Sequence, residues 1–243
     1  MDRAGIDLPR LVEAAEGWSA EDAIRWAVDH FHPRAAFASS FGAEDVVVTD
    51  LLLRARTDAR IFTLDTGRLN EETHEVALRI RERYGIAIET FFPDRDAVER
   101  LLSEKGPFSF RESVSHRKEC CEIRKVAPLR RALAGLDLWI TGLRRGQAVT
   151  RVGVPKLEWD EEFSVLKLNP IADWSEERVW DYIRANDLPY NALHDRGFPS
   201  IGCAPCTRAV GPGEDIRAGR WWWELPEHRE CGIHVNRREG ETR

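Results

Sequence analysis

No apolar run in the 243 residues approaches the ~18 needed to cross a bilayer. The opening segment MDRAGIDLPRLVEAAEGW also lacks the basic stretch and apolar core of a secretory leader. Membrane attachment and export are therefore not expected, and the chain reads as cytoplasmic. Cysteine is scarce, with five residues. In a reducing compartment so few, grouped as a CC pair, a C-x-x-C and a single residue, do not form a disulfide framework and point to metal binding or catalysis. Lysine is scarcer than arginine, 5 against 31, and the planar guanidinium fork suits phosphate and sulfate. Positive charge is not in excess: the net charge of −6 opposes wholesale binding to nucleic acid or an anionic membrane. Internal repeats and low-complexity tracts are absent.

What is present is the composition of one substantial globular domain, with 42% hydrophobic residues. Leu11 to His30 has helical spacing, and Ser19 followed by Asp22 caps a second helical piece expected to pack outside the sheet. AAFAS (35–39) reads as a buried strand, 42–55 as a helix and RIFTLD (60–65) as a second strand. The alternation continues with a helix over 70–84 ending at Gly85, a strand over 86–92, helices over 94–104 and from near Cys121 to Ala134, and a strand over 136–142. This order implies an α/β fold with an open parallel sheet wrapped by helices. A hairpin-like stretch then ends in LKLNP (166–170), and an amphipathic helix capped by Ser175 covers 175–187. From Leu188 onward Gly and Pro dominate, and irregular structure ordered by a metal or ligand is expected. The expected division is an α/β domain over 1–210 and a C-terminal tail over 211–243.

Three polar turns fall at strand ends, where open α/β sheets bind ligands. The first, Ser39, Ser40, Phe41, Gly42, Ala43, Glu44 and Asp45, leads from a strand into a helix, so its amides and the helix N-terminus can face a phosphate. It is not a Walker A loop, because no G-K-[ST] follows. The second is Leu64, Asp65, Thr66, Gly67 and Arg68; the third contains Gly142, Arg144 and Arg145. Each residue has an ordinary alternative as a cap or surface charge, but together they fit a phosphorylated nucleotide.

Cys203-Ala-Pro-Cys206 has the spacing of a metal knuckle. Cys120 and Cys121 are adjacent, so both reach one centre only if the backbone bends, as at a helix start. Such a four-thiolate set holds zinc or an iron-sulfur cluster, and spacing alone favours zinc. Lys125 lies one turn beyond Cys121. Cys231 stands apart in EHRECGIH, among Arg229, His234, Arg237 and Arg238, whose charge favours a reactive thiolate.

SSFGAED, LDTGR, CC followed by IRKVAPLRRAL, TGLRRGQ, PIADWS, CAPCTRAV with DIRAGRWWWE, and ECGIH together resemble the assimilatory adenylyl-sulfate reductases, in unbroken order from Phe37 to His234. The resemblance implies an adenine nucleotide alpha hydrolase-like fold and a 4Fe-4S cluster on Cys120, Cys121, Cys203 and Cys206, replacing zinc. It also implies that Cys231 attacks the sulfur of adenosine 5′-phosphosulfate, releasing AMP, and that thioredoxin then frees sulfite from the S-sulfocysteine. Lys125, Arg217, Arg220 and His234 would bind the phosphosulfate, and the tail would close over it as a lid. No thioredoxin-like domain is seen, so the reductant would be a separate protein; a homo-oligomer is compatible with the sequence. Three alternatives are a reductase acting on the 3′-phosphorylated substrate or on both, an ATP-dependent tRNA thiolation enzyme, and a zinc-stabilised nucleotide sensor.

Overall fold

The structure, a computed structural model, describes residues 7–148, 151–225 and 233. The N-terminal helices are α1 (Leu8–Ala15) and α2 (Ala20–Phe31), and the Ser19 hydroxyl caps α2 by accepting the Asp22 amide at 3.0 Å. Then follow β1 (Ala35–Ala38), α3 (Ala43–Ala55), β2 (Arg60–Leu64), α4 (Glu71–Tyr84), β3 (Glu89–Phe91) and α5 (Arg95–Lys105). The remainder comprises α6 (Val114–Cys121), α7 (Ala127–Leu133), β4 (Leu138–Ile140), the hairpin β5 (Leu157–Asp160) and β6 (Val165–Leu168), and α8 (Glu176–Ala185). Among the described residues no helix is long and apolar enough to cross a membrane.

The six strands form one sheet in the order β3-β2-β1-β4-β6-β5, parallel except for the antiparallel β5–β6 pair. Strand alternation divides the core in two. Phe37 of β1, paired with Ile61 and Ile140, belongs to the larger cluster with α2, α3, α4 and α8. Ala36 belongs with Phe62, Trp139 and the α7 residues Leu129, Ala132 and Leu133 on the opposite face. Helix α3 is apolar nearly all round (Val46 to Val48, Leu51 to Leu53) because the sheet, α2 and α8 enclose it. Each such buried Val or Leu contributes about 1.5–3 kcal/mol.

The elements differ from the sequence reading in three places. Strand β3 is shorter than 86–92, and β4 is shorter than 136–142, although the Thr141 amide still donates to the Leu168 carbonyl at 2.9 Å. The helix expected from near Cys121 starts seven residues earlier, at Val114, where the Ser113 hydroxyl accepts the His116 amide at 3.1 Å. The bend at the paired cysteines is therefore not a helix start. It is a π-helical segment, Glu122–Val126, between α6 and α7.

Candidate active site

A cavity of 250 Å³ opens at the carboxyl ends of β1, β2 and β4. Ser39, Ser40, Gly42, Ala43, Glu44 and Asp45 line it from the first turn, Leu64 and Thr66 from the second, and Gly142 and Arg144 from the third. Lys125, Arg217 and Arg220 close the far side. Five residues singled out in these turns lie elsewhere. Phe41 is buried in the larger core with a left-handed backbone (φ 59°), and the Asp65 carboxylate accepts the Gly67 amide at 2.8 Å. Arg68 stacks over Phe110 at 5.1 Å and faces the cysteines, while Arg145 pairs with Glu16 at 2.6 Å.

The first turn is not an open row of amides. The Ser39 amide donates to the Phe62 carbonyl at 2.8 Å, that of Ser40 to the Asp45 carboxylate, and that of Phe41 to the Ser39 hydroxyl at 3.2 Å. The amides of the first turn of α3 have no side-chain cap, since the cap residue is Gly42. Asp45 also receives the Ser40 hydroxyl at 2.7 Å, and burial pushes its pKa up to about 6. A Cβ on Gly142 would lie 2.1 Å from the Asp45 carboxylate, so only glycine admits this packing. Arg144 is committed as well: Nε and Nη2 both donate to Glu44 Oε1, at 2.9 and 2.7 Å.

Charges of both signs therefore line the cavity. Glu44, Asp45 and Glu176 line it together with Arg144, which Glu44 holds, and Arg151, while Lys125, Arg217 and Arg220 are its further cations. Among its walls are residues the sequence reading passed over, including Phe62, Trp139 and His194. The His194 ring stands edge-on to Trp180 at 5.2 Å, and burial lowers its pKa against the opposing pull of Glu44. It lies in the irregular NALHDRG stretch, where no periodicity marks it; a histidine among turn residues was the available signal.

Behind the cations lies a second, smaller cavity of 20 Å³. Cys120 and Cys121, at the end of α6, and Cys203 and Cys206, the cap and last residue of a short 3₁₀ turn, all line it. Arg68, Arg117 and Arg124 surround them, and the Thr66 hydroxyl is 3.2 Å from Cys203 Sγ. Burial pushes the Cys206 thiol up to about 12, reinforced by Cys203 and Cys121 and opposed by Lys125 and Arg220. Lys125, Arg220 and Trp221 line both cavities. Among the described residues, no group of three or more His, Cys, Asp or Glu is disposed to hold a single metal ion. Cys231 and His234 lie outside the described residues; Ile233, between them in the chain, lines the larger cavity.

Residues 34–209 match the phosphoadenosine phosphosulfate reductase domain. Two proteins named adenosine 5′-phosphosulfate reductase, from Allochromatium vinosum and Burkholderia cepacia, are 54% and 52% identical to the chain, covering 82% and 88% of it and 77% and 86% of themselves. A third, from Pseudomonas aeruginosa, is 46% identical over 95% of the chain and 87% of its own length. Among solved structures, a phosphoadenylyl-sulfate reductase from Candida auris in a phosphate complex aligns with TM-score 0.72 and 25% identity, over 86% of this chain and 99% of that one. Yeast FAD synthetase, at TM-score 0.54 and 13% identity over 86% of this chain and 70% of its own, shares the fold, which is of the adenine nucleotide alpha hydrolase-like kind. The matched segment contains the three strand-end turns and all four clustered cysteines, and the chain belongs to the phosphoadenosine phosphosulfate reductase family.

Proposed function

We propose that the protein is a thioredoxin-dependent adenosine 5′-phosphosulfate reductase of assimilatory sulfate reduction. The observation that carries the reading is the wall of Lys125, Arg220 and Trp221 shared by the nucleotide-sized cavity and the cysteine cavity. The cations next to the cysteine cavity orient the substrate. Its phosphosulfate lies toward Lys125, Arg217 and Arg220, and its adenosine toward the first turn and Gly142. This differs from a phosphate held by the Ser39 to Phe41 amides, which already donate to Phe62, Asp45 and Ser39. His234 would add a further cation or donor beside Cys231.

The Cys231 thiolate attacks the sulfate sulfur, the sulfur–oxygen bond to the phosphate breaks, and AMP departs with the bonding pair. An S-sulfocysteine remains. A thioredoxin thiolate then attacks Cys231 Sγ and expels sulfite, and the second thioredoxin thiol resolves the mixed disulfide, so the dithiol supplies both electrons. Attack by one anion on another is opposed electrostatically; fixed cations in a site poor in water stabilise the added charge by several kcal/mol.

Cys120, Cys121, Cys203 and Cys206 would hold the 4Fe-4S cluster. All four thiols line one small cavity, a four-thiolate donor set that suits a 4Fe-4S cluster, and the choice of iron over zinc rests on the family resemblance. When bound, it would order the 203–206 turn against α6 and add its own charge to the field around Lys125. The decisive experiment is iron and acid-labile sulfide analysis together with thioredoxin-dependent sulfite release from adenosine 5′-phosphosulfate and its 3′-phosphorylated analogue. The reading requires iron with sulfide and faster release from the unphosphorylated form. Faster release from the 3′-phosphate would transfer the assignment to the other substrate, and a colourless, iron-free protein would overturn the cluster.

A further inference from the structure

Arg220 is the best-defined cation on the shared wall. It is 7% exposed; its Nη1 donates to Ser200 Oγ and to the Ile201 carbonyl, both at 3.3 Å, and its Nε is buried with no hydrogen-bond partner among the described residues. A buried guanidinium with an unused donor is costly unless a ligand completes it.

Two features fix where this group sits. The first is Trp221, whose ring centroid is 4.6 Å from the Arg220 Cζ and 4.8 Å from that of Arg117. Arg117 is in turn gripped by Glu224 through two hydrogen bonds, and the Trp221 amide donates to the Cys206 carbonyl at 3.1 Å. The second is Gly202. A Cβ built there would lie 2.3 Å from Arg220 Nη2, 2.6 Å from Cζ and 3.1 Å from Nε. The backbone of Gly202 is not in the left-handed region, so alanine is conformationally admissible. What opposes it is the guanidinium itself, the flexible end of a side chain, which would move while the fold stays intact.

Resting on the nucleotide reading above, we propose that Gly202 is a positioning residue for Arg220: its missing side chain admits the guanidinium to the boundary between the two cavities and so sets affinity for the phosphosulfate. The glycine has a second neighbour to satisfy, since it precedes Cys203. Its role through Arg220 must therefore be separated from any role through the thiols.

A double-mutant cycle does this. In a Cys231→Ser background, which prevents sulfur transfer, the dissociation constant of adenosine 5′-phosphosulfate is measured by equilibrium dialysis for the parent, Gly202→Ala, Arg220→Ala and the double variant, with iron content measured in each. A displacement of about 1 Å at a charged binding group weakens recognition by roughly 10- to 100-fold, and Gly202→Ala should show such a loss. Arg220→Ala should weaken binding at least as much, and the double variant should bind no worse than Arg220→Ala alone. If Gly202→Ala binds like the parent while Arg220→Ala does not, the inference falls and the nucleotide reading stands. An equal loss from Gly202→Ala in both Arg220 backgrounds, as loss of iron would produce, also overturns it. Parent-like binding by Arg220→Ala removes Arg220 from the nucleotide site and overturns both.

Discussion

Arg117 and Glu224 form a two-pronged ion pair, Nε to Oε1 at 3.0 Å and Nη2 to Oε2 at 2.9 Å, with both side chains almost wholly buried. It joins α6, one turn before the paired cysteines, to a stretch 107 positions later in the chain. Breaking a buried pair by removing one partner leaves the other charge uncompensated and costs about 3–5 kcal/mol. Glu224→Ala should lose stability on that scale in urea unfolding. Arg117→Met combined with Glu224→Leu should lose less than Glu224→Ala alone.

Asp45 makes stability depend on pH in a definite direction. Its folded-state pKa is raised from 3.8 to about 6, chiefly by burial, so the folded protein disfavours the carboxylate. Its contribution is full below the unfolded value and is lost as pH rises through the folded one. Asp45→Asn, which does not ionise, should therefore be more stable than the parent at about pH 8, by up to roughly 3 kcal/mol at 1.36 kcal/mol per pKa unit, with the advantage gone near pH 4. Urea midpoints of the two proteins across this range test it.

Cys203→Ser and Cys206→Ser should each lower bound iron and sulfide sharply, because each removes one of the four thiols around the small cavity. Cys231→Ser should leave both at parent levels. Iron retained in full by Cys206→Ser would remove that residue from the ligand set.

Cys231→Ser should also bind adenosine 5′-phosphosulfate with parent affinity and form no sulfonate adduct, read by intact-protein mass spectrometry. An adduct on the serine variant would assign the nucleophile to another residue.

Much of this arrangement is legible in the sequence because local signals and burial agree. AAFAS and the apolar run of α3 mark the central β1–α3 unit, and Ser19 and Ser175 sit where helices begin. Helix α6 is harder to read: VSHRKECC has no apolar stripe, and its stability comes from the Ser113 cap and from cysteines packed with Leu101, Phe110 and Trp221. The site divides in the same way. Strand ends identify the three turns, but which residue of a turn faces the ligand is a tertiary matter. Arg144 and Arg145 are neighbours, yet one lines the cavity and the other is held by Glu16, 129 positions away. Similarly, the bonding of the Ser40 amide to Asp45 follows from the fold of the turn, not from its composition.

The π segment between α6 and α7 works as a phase adjustment. A π turn takes up one residue more than an α turn, and one residue is about 100° of helix rotation. Helix α6 can thus end with its thiols at the small cavity while α7 directs Leu129 and Leu133 to the sheet, two directions that an unbroken α-helix would not offer together. Lys125 falls within that wide turn and meets both cavities. Deleting one residue from 122–126 would leave a good helix and a good hydrophobic face, but would turn the cysteines and the sheet contacts out of step with each other.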